Sequence, residues 1–305
     1  MKLSLAELGD KRALLIAGST ASGKSALARH LAQQAGAIGR KVWIVNADSM
    51  QVYDALRLLT ARPKPEDEAE VPHRLYGHVP ADIRYSVAAW LQDLAPVLAQ
   101  ADAADVMPII VGGTGLYFKA LTEGLAPTPP VTPAIRAKWL QALREEGPGA
   151  LHARLGERDP LAAAAIRAGD PQRIVRALEV LDATGTSLAE WHRAGSAPPL
   201  LPTASAAALV IEPDRAELYR RIEGRFDSMV AGGALDEVRA LLRRDLHPDL
   251  PVMKAIGVRQ FARHFRGECT LEEAVGNAKM ETRRYAKRQS TWFRNQMPEW
   301  TRIPA

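Results

Sequence analysis

The sequence predicts an α/β protein in which a parallel sheet is interrupted by an all-helical insertion and followed by a helical C-terminal region. Short apolar runs alternate with amphipathic segments in the N-terminal third of the chain. This alternation is typical of a parallel sheet with helices on both faces. A long segment rich in Ala and Arg then intervenes before a further apolar run. Proline-rich stretches flank that segment, so we expect it to be an inserted domain.

The predicted strands of the N-terminal third end in residues that can carry chemistry. The strands are the apolar runs at 13–17, 41–48 and 106–115. In parallel sheets of this kind, ligands bind at the carboxyl ends of the strands. Gly18, Asp48 and the glycine-rich turn 112–115 fall at those ends, so we expect them to meet at one edge of the sheet.

The remaining elements follow from periodicity and composition. Residues 24–35 have the spacing of an amphipathic helix, and 116–124 form another predicted helix. The proline-rich stretches 126–133 and 196–205 mark the ends of the insertion, and 207–213 returns to strand composition. The predicted domains are a core of 1–123 and 201–305, with C-terminal helices, and an inserted helical domain of 124–200.

Composition restricts the class of protein. The chain has 305 residues and can bury a sizeable core. The single cysteine, Cys269, cannot form an internal disulfide, and we expect no structural zinc site. No apolar run is long enough to span a membrane, and residues 1–12 do not read as a secretory signal. We therefore expect a cytoplasmic protein. The net charge of +5 favours an anionic partner.

The segment 18–25 reads GSTASGKS and matches the phosphate-binding pattern G-x-x-x-x-G-K-[ST]. The predicted phosphate-binding residues are Gly18, Ser19, Thr20, Ala21, Ser22, Gly23, Lys24 and Ser25. Backbone N–H groups of such a loop point at phosphate oxygens, the lysine adds a positive charge, and the serine hydroxyl can ligate Mg²⁺. A strand before the loop and a helix after it are the context that the motif requires. The sequence thus predicts a P-loop NTPase-like core that binds a nucleotide such as ATP, or another phosphorylated ligand, with Mg²⁺ as cofactor.

Asp48 opens the stretch DSMQVY at the end of the second predicted strand. A carboxylate at this position could order a magnesium ion, as in enzymes that use ATP. With Ser49 and Gln51 beside it, the same carboxylate could instead act as a proton acceptor or contact a base. It could also simply cap a helix. The pattern alone leaves these alternatives open.

Basic residues are concentrated near the C-terminus, where 282–294 reads TRRYAKRQSTWFR. Positions 284, 287, 288 and 291 share one face of a predicted helix. Basic residues interleaved with aromatic ones suit a nucleic-acid surface, but a solvated helix with aromatics in the core is the alternative. Five positive charges without an acid among them favour RNA. The helix beginning at 172–176 could be a second basic surface or an ordinary capped helix.

Seven segments in order give the chain a resemblance to a known family. They are GSTASGKS, DSMQVY, GGTGLYFKAL, DPQRIVRALEV, RIEGRF, KAIGVRQ and AKRQSTWFR, and they span nearly the whole sequence. Together they resemble the bacterial tRNA dimethylallyltransferases, or IPP transferase family. The resemblance implies transfer of a dimethylallyl group from dimethylallyl diphosphate to N6 of the adenosine 3′ of the anticodon, in tRNAs that read codons starting with U. It also implies a tRNA anticodon stem-loop as partner, and we expect a monomer with no membrane association.

The resemblance also implies roles for individual residues. Asp48 corresponds to the group that hydrogen-bonds N6 of the target adenine, and Thr20 to Ser25 hold the diphosphate. Arg225 corresponds to a further diphosphate-binding or catalytic arginine, and Lys24 is expected to act in catalysis with Asp48. The implied tRNA contacts are Asp48, Ser49, Met50, Gln51, Thr114, Arg136, Gln172, Arg173, Ile174, Val175, Arg176, Lys254, Ala255, Ile256, Gly257, Val258, Arg259, Lys287, Arg288, Gln289, Ser290, Thr291, Trp292, Phe293 and Arg294.

The chain departs from the family pattern at two positions. Ser19 stands where the family usually has proline, and Val258 stands where it usually has an aromatic residue. Three other functions compete with the transferase. They are a P-loop kinase or NTPase acting on a small molecule, an isopentenyltransferase acting on free AMP, and an RNA-binding protein without activity. The first two leave the basic stretch 282–294 without a role, and the third leaves Lys24 and Asp48 without one.

Overall fold

The structure is a computed structural model that describes residues 11–127 and 129–304. Residues 1–10, which make up most of the stretch expected not to be a secretory signal, lie outside the described residues. The chain divides into two compact units. One runs up to Thr122 and resumes at Leu200, and the other is Glu123–Pro199. The first unit contains the sheet, and the second is helical.

A parallel sheet forms the centre of the first unit. Its strands are β1 (Ala13–Gly18), β2 (Val42–Asn46), β3 (His73–Arg74), β4 (Met107–Gly112), β5 (Ala206–Ile211) and β6 (Thr301–Ile303). They pair in the order β3-β2-β4-β1-β5-β6, with every pairing parallel. The predicted strands β1, β2, β4 and β5 are confirmed. The sequence does not indicate β3 or β6, because these short strands contain no apolar run.

The helices fall into groups along the chain. The first group is α1 (Lys24–Ala37), α2 (Pro65–Glu70), α3 (Val87–Ala103) and α4 (Gly115–Glu123). The second unit contains α5 (Pro133–Arg158), α6 (Pro160–Ala165), α7 (Pro171–Thr184) and α8 (Leu188–Arg193). The C-terminal group is α9 (Arg215–Ala231), α10 (Ala234–Leu242), α11 (Val258–Phe265) and α12 (Leu271–Gln296). No helix among the described residues is long and apolar enough to cross a membrane.

The strand β1 is apolar throughout because it is covered on both sides. Leu14 and Ile16 pack in one cluster with Leu31 of α1. Leu15 packs in another cluster that includes Phe118 of α4. A strand at the centre of a parallel sheet has no solvent-facing side, which explains its continuous apolar sequence. This burial fixes β1 firmly and therefore also the loop that follows it.

Aspartate side chains cap two helices of the second unit. The side chains of Asp159 and Asp170 accept hydrogen bonds from the first turns of α6 and α7. α5 is interrupted at Gly147, whose φ of 78° places it in the left-handed region. Trp139 and Ile174 are buried in the centre of this unit. The predicted all-helical character of the insertion is confirmed.

Candidate active site

At the carboxyl edge of the sheet, hydrogen bonds join the loop after β2 to the glycine-rich turn after β4. The Thr114 N–H donates to the Ala47 carbonyl at 3.2 Å, and the Ser49 N–H donates to Thr114 Oγ1 at 2.9 Å. A Cβ atom on Gly112 would lie only 2.0 Å from the Ala47 oxygen. Glycine is therefore required for β4 to approach the end of β2 this closely. The expected meeting of the turn 112–115 with the stretch that begins at Asp48 is confirmed.

The phosphate loop joins β1 to the start of α1. Gly23 precedes the helix with a φ of 95°, and Ala21 also has a positive φ of 61°. No side chain caps the first turn of α1, and no acidic residue lies in it. The hydroxyl oxygens of Ser19 and Ser22 are buried without a hydrogen-bond partner. A buried hydroxyl normally has a partner, and phosphate oxygens bound at the helix N-terminus would supply one.

The Lys24 ammonium lies inside the loop and donates to the Ser19 carbonyl at 3.1 Å. Burial lowers the pKa of Lys24 to about 8. The charge of Asp48 acts to raise it, and that of Arg225 acts to lower it further. An anion bound in the loop would stabilise the charged lysine, because opposite charges at short range favour the ionised form. The Lys24 ammonium therefore lies against the backbone of the loop, and its contact with phosphate stays a prediction.

Asp48 is held at the site by the residues on either side of it. Asn46 Oδ1 accepts from the Asp48 N–H at 2.9 Å, and Asn46 Nδ2 donates to the Asp48 carbonyl at 3.0 Å. The Asp48 carboxylate accepts from the Met50 N–H at 2.9 Å. The carboxylate is half-buried, and Asn46 is fully buried. Asn46 is a site residue that sequence reasoning missed, although a polar residue ending an apolar strand was a signal for it.

Arg225 reaches the phosphate loop from α9. Its guanidinium donates to the Thr20 hydroxyl. Burial lowers the pKa of Arg225, and the nearby Asp48 charge acts in the opposite direction. The loop, the lysine, this arginine and the aspartate therefore share one electrostatic environment. It has two partly buried cations and one carboxylate, which suits an anionic ligand.

A second arginine of α9 also reaches the loop, and sequence reasoning missed it. Arg221 Nε donates to Glu217 at 2.6 Å. Its guanidinium lies 3.6 Å from where a Cβ atom on Gly23 would be. Arg221 precedes Arg225 by one helical turn, and residues with this spacing share a helix face. That spacing was the available signal.

Three tyrosines lie close enough to Asp48 for its charge to affect them. Burial raises the pKa of Tyr76, Tyr117 and Tyr285, and the charge of Asp48 raises all three further. The Tyr117 ring stacks on Trp90 with 4.5 Å between ring centroids. These tyrosines stay protonated at neutral pH, so they add aromatic surface and hydroxyl groups to the site without adding charge.

The site offers few protein ligands for a metal. Ser25 lies exposed in the first turn of α1. Across residues 11–127 and 129–304, no group of three or more His, Cys, Asp or Glu could hold a metal ion. Mg²⁺ usually keeps several waters and is bound by one or two protein groups together with substrate phosphates. The residues present fit that mode of binding, with Ser25 as the protein's contribution.

The exposed face of α12 matches the predicted basic surface. Arg284, Lys287, Arg288 and Thr291 are all exposed. A shallow cavity of about 330 Å³ lies on this helix. It is lined by Lys287, Arg288, Thr291, Trp292, Asn295 and Gln296. Cations beside an indole ring give this surface the chemistry that RNA backbone and bases require.

Several residues expected to contact RNA are instead buried. They are Ile174, Val175, Ala255, Val258, Gln289 and Phe293, each less than 9% exposed. Val258 packs against Phe261 in the core beneath α11, so valine in place of an aromatic residue alters packing there. Phe293 packs in the core below the sheet. For this ring, the alternative reading of 282–294, a solvated helix with aromatic residues in the core, is the correct one. These six side chains are therefore not accessible at the surface of the structure.

Other members of the expected RNA set are exposed or partly exposed. Gln172, Arg173, Lys254 and Arg259 are exposed. In the second unit, Arg136 and Arg176 each lie 3.6 Å from the buried carboxylate of Glu179. Ser290, Ile256 and Met50 are half-buried, and Arg294 is exposed. Gly257 is buried with a φ of 104°, and a Cβ atom there would lie 2.6 Å from Leu59.

The stretch after Asp48 is internally bonded. The Gln51 amide donates to the carbonyls of Thr60 and Ala61 at 2.8 and 3.1 Å. Gln51 is half-buried. These bonds hold the amide nitrogen of Gln51 inside the loop 51–61. Any contact of Gln51 with RNA would therefore use the exposed part of its side chain.

Comparison with known proteins places this chain in a family. A family model described as IPP transferase matches residues 51–296. The chain is 54% identical over 298 residues to a tRNA dimethylallyltransferase of Nitrobacter hamburgensis, covering 97% of this chain and 92% of the relative. It is 55% identical to a tRNA dimethylallyltransferase of a Bradyrhizobium strain, covering 96% and 93%.

Solved structures agree with these relatives. The fold matches a full-length tRNA isopentenylpyrophosphate transferase from Bacillus halodurans with a TM-score of 0.67 and 32% identity, covering 96% of this chain and 90% of that one. A eukaryotic dimethylallyltransferase acting on tRNA matches with a TM-score of 0.77 and 25% identity, covering 96% and 74%. The P-loop NTPase-like fold predicted from the sequence is thus the fold that these solved transferases share with this chain. This chain belongs to the IPP transferase family.

Proposed function

We propose that this protein transfers the dimethylallyl group of dimethylallyl diphosphate to N6 of the adenosine 3′ of the anticodon, in tRNAs that read codons starting with U. The observation that carries the proposal is the meeting of the phosphate loop, Lys24 and Arg225 with a carboxylate, Asp48, at one edge of the sheet. The family relatives that are named tRNA dimethylallyltransferases support it.

The donor diphosphate binds in the phosphate loop. As the bond from carbon to the leaving oxygen breaks, negative charge grows on the diphosphate. Lys24, Arg225 and the free amides of α1 already lie in place to stabilise that charge, so little reorganisation is needed during the reaction. Mg²⁺ held by the diphosphate and the Ser25 hydroxyl would add positive charge to the leaving group when bound.

The acceptor amine needs a base because its lone pair is delocalised into the adenine ring. Asp48 accepts a hydrogen bond from N6 and orients it towards the allylic carbon. As the new carbon–nitrogen bond forms, N6 becomes acidic and its proton passes to the Asp48 carboxylate. The hydrogen bonds from Asn46 keep the backbone of Asp48 in place for this step.

The RNA binds through exposed cations. The face of α12 that carries Arg284, Lys287 and Arg288 meets phosphates, and Trp292 offers a ring beside them. Arginines of the helical unit make further contacts with the anticodon stem-loop. The target base must leave its stack, which costs a few kcal/mol, and stacking on aromatic groups returns about 1–3 kcal/mol per base. We propose that the protein acts as a monomer in the cytoplasm, where tRNA is found.

Nucleoside mass spectrometry tests the proposal. Unmodified tRNA and free AMP are each incubated with the protein, dimethylallyl diphosphate and Mg²⁺. We expect N6-(dimethylallyl)adenosine in the tRNA and no prenylated AMP. A parallel reaction supplies ATP in place of the donor. Rapid ATP turnover with no prenylated adenosine would identify a kinase or NTPase, and prenylated AMP alone would identify an adenylate isopentenyltransferase.

A further inference from the structure

Gln289 lies on the buried face of α12. It is 6% exposed and occupies the same stripe of the helix as Ala286 and Phe293, which are fully or almost fully buried. A side-chain amide has both donors and an acceptor, and burying it without partners is costly. A polar residue in an apolar stripe therefore needs specific partners inside the protein.

The partners of Gln289 are the two loops that build the active site. Gln289 Oε1 accepts from the Thr20 N–H of the phosphate loop at 2.8 Å. Gln289 Nε2 donates to the Gly113 carbonyl of the glycine-rich turn at 2.8 Å. Because a backbone N–H can only donate and a carbonyl can only accept, these partners also fix which way the amide points. One side chain thus joins the ends of β1 and β4.

The glycines of the turn are needed for this helix to approach. A Cβ atom on Gly113 would lie 2.3 Å from Gln289 Nε2. A Cβ atom on Gly115 would lie 2.1 Å from the Trp292 ring. Both distances are too short for any side chain. Gly113 and Gly115 therefore allow the turn to contact α12, just as Gly112 allows it to contact the end of β2.

Thr20 is held from two directions. Its N–H bonds to Gln289, and its hydroxyl accepts from Arg225. The first bond comes from α12 and the second from α9. The position of Thr20, and with it the start of the phosphate loop relative to Arg225, depends on both. Loss of the bond from Gln289 would leave the loop held by Arg225 alone on this side.

The opposite face of α12 carries the exposed cations. Arg284, Lys287 and Arg288 point to solvent, whereas Gln289 is turned inward. A role for Gln289 in RNA contact, which its place in the stretch 287–294 suggested, does not agree with its burial. We propose that Gln289 is a positioning residue of the diphosphate site, which holds the phosphate loop in its binding conformation and makes no contact with RNA. This inference rests on the proposed function, in which the loop binds the donor diphosphate.

Gln289→Met tests the inference because methionine keeps the length and volume of the side chain and removes both hydrogen bonds. The dissociation constants of inorganic diphosphate with Mg²⁺ and of an anticodon stem-loop are measured by calorimetry, with the melting temperature as a check of folding. Loss of two hydrogen bonds predicts about a tenfold or greater weakening of diphosphate binding. Stem-loop affinity should not change, and the KM for the donor should rise more than kcat falls.

Two further variants make the result specific. Asn277→Ala removes an exposed amide from the same helix and should leave both diphosphate affinity and stem-loop affinity unchanged. Gln289→Asn keeps the amide on a shorter side chain, and it should weaken diphosphate binding less than Gln289→Met does. It also serves in place of Gln289→Met if that variant melts too low to be assayed.

The outcomes separate the inference from the proposed function. Wild-type protein that binds diphosphate but yields no prenylated tRNA would overturn the proposed function alone. Gln289→Met with normal diphosphate affinity, or with stem-loop affinity weakened as much as diphosphate affinity, would overturn the inference alone. Wild-type protein that does not bind diphosphate would overturn both.

Discussion

The Asp48 carboxylate acts on both cations of the site, since its charge opposes the effect of burial on the pKa of Lys24 and of Arg225. It also raises the pKa of Tyr76, Tyr117 and Tyr285. Among these groups Asp48 is the only carboxylate, so it is the one that can accept a proton from a bound amine. Removing its charge should therefore affect the chemical step most strongly.

Asp48→Asn keeps the size of the side chain and removes its ability to take a proton. We expect kcat to fall by about 100-fold or more, since general-base catalysis usually contributes that much. Stem-loop affinity should stay within a few-fold of the wild type. Asp105→Asn, at the opposite edge of the sheet, is the matched control and should be fully active. Near-normal turnover of Asp48→Asn would show that another group takes the proton.

The pKa of Lys24 predicts how the affinity for the donor diphosphate depends on pH. In the free protein its pKa is lowered to about 8, and bound diphosphate favours the charged lysine and so raises it. Diphosphate affinity should then be full below pH 8 and decline by up to about tenfold per pH unit as pH rises above it. Calorimetry between pH 7 and pH 9.5 measures this decline. Lys24→Arg stays charged over the range, so its affinity should be nearly flat, and a wild-type affinity equally flat would contradict the account.

Sequence alone predicts some residues of the site and misses others for a physical reason. The phosphate loop and Asp48 lie in short, contiguous patterns whose chemistry is local. Asn46, Arg221 and Gln289 act through contacts with residues distant in the sequence, such as the bond between Gln289 and Thr20. No local pattern specifies such partners, although the helical phase of Gln289 marks it as a buried polar residue.

Among the elements, α12 has two faces with different tasks. Its buried face packs on the sheet and fastens the phosphate loop, and its exposed face carries cations. The helical periodicity of 282–294 predicts this exposed face, and the structure confirms it. The aromatic residues were less predictable, because a basic-aromatic stretch does not reveal which rings turn inward. Phe293 is buried, whereas Trp292 keeps part of its ring at the surface.

Replacing Arg284, Lys287 and Arg288 together by alanine tests the exposed face. RNA affinity should fall, and the slope of log K against log salt should become shallower by about 2, since each lost phosphate contact removes about 0.7–0.9 from it. Binding isotherms from low to high salt give the slope. Alanine at Lys11, Arg40 and Lys41, at the amino edge of the sheet, makes the same change in net charge and should leave the slope unchanged. An equal change in both triple variants would indicate a nonspecific charge effect.

At the scale of the whole molecule, the proposed reaction joins two anionic substrates, and the chain has a net charge of +5. The sheet places the phosphate loop and Asp48 at the same edge, and the long C-terminal helix ties that edge to a basic surface. The α/β class and the helical insertion follow from composition and periodicity. The two short strands do not, because β3 and β6 depend on pairing with β2 and β5 and not on their own apolar character.

The central claim is that this edge joins a diphosphate site to a base that acts on one adenosine of tRNA. The most direct test is to incubate unmodified tRNA with the protein, dimethylallyl diphosphate and Mg²⁺, digest the RNA with a base-specific ribonuclease, and locate the modification by mass spectrometry of the fragments. The account predicts one dimethylallyl group on the adenosine 3′ of the anticodon, in tRNAs that read codons starting with U. A dimethylallyl group distributed over other adenosines, or absent from the RNA, would contradict it.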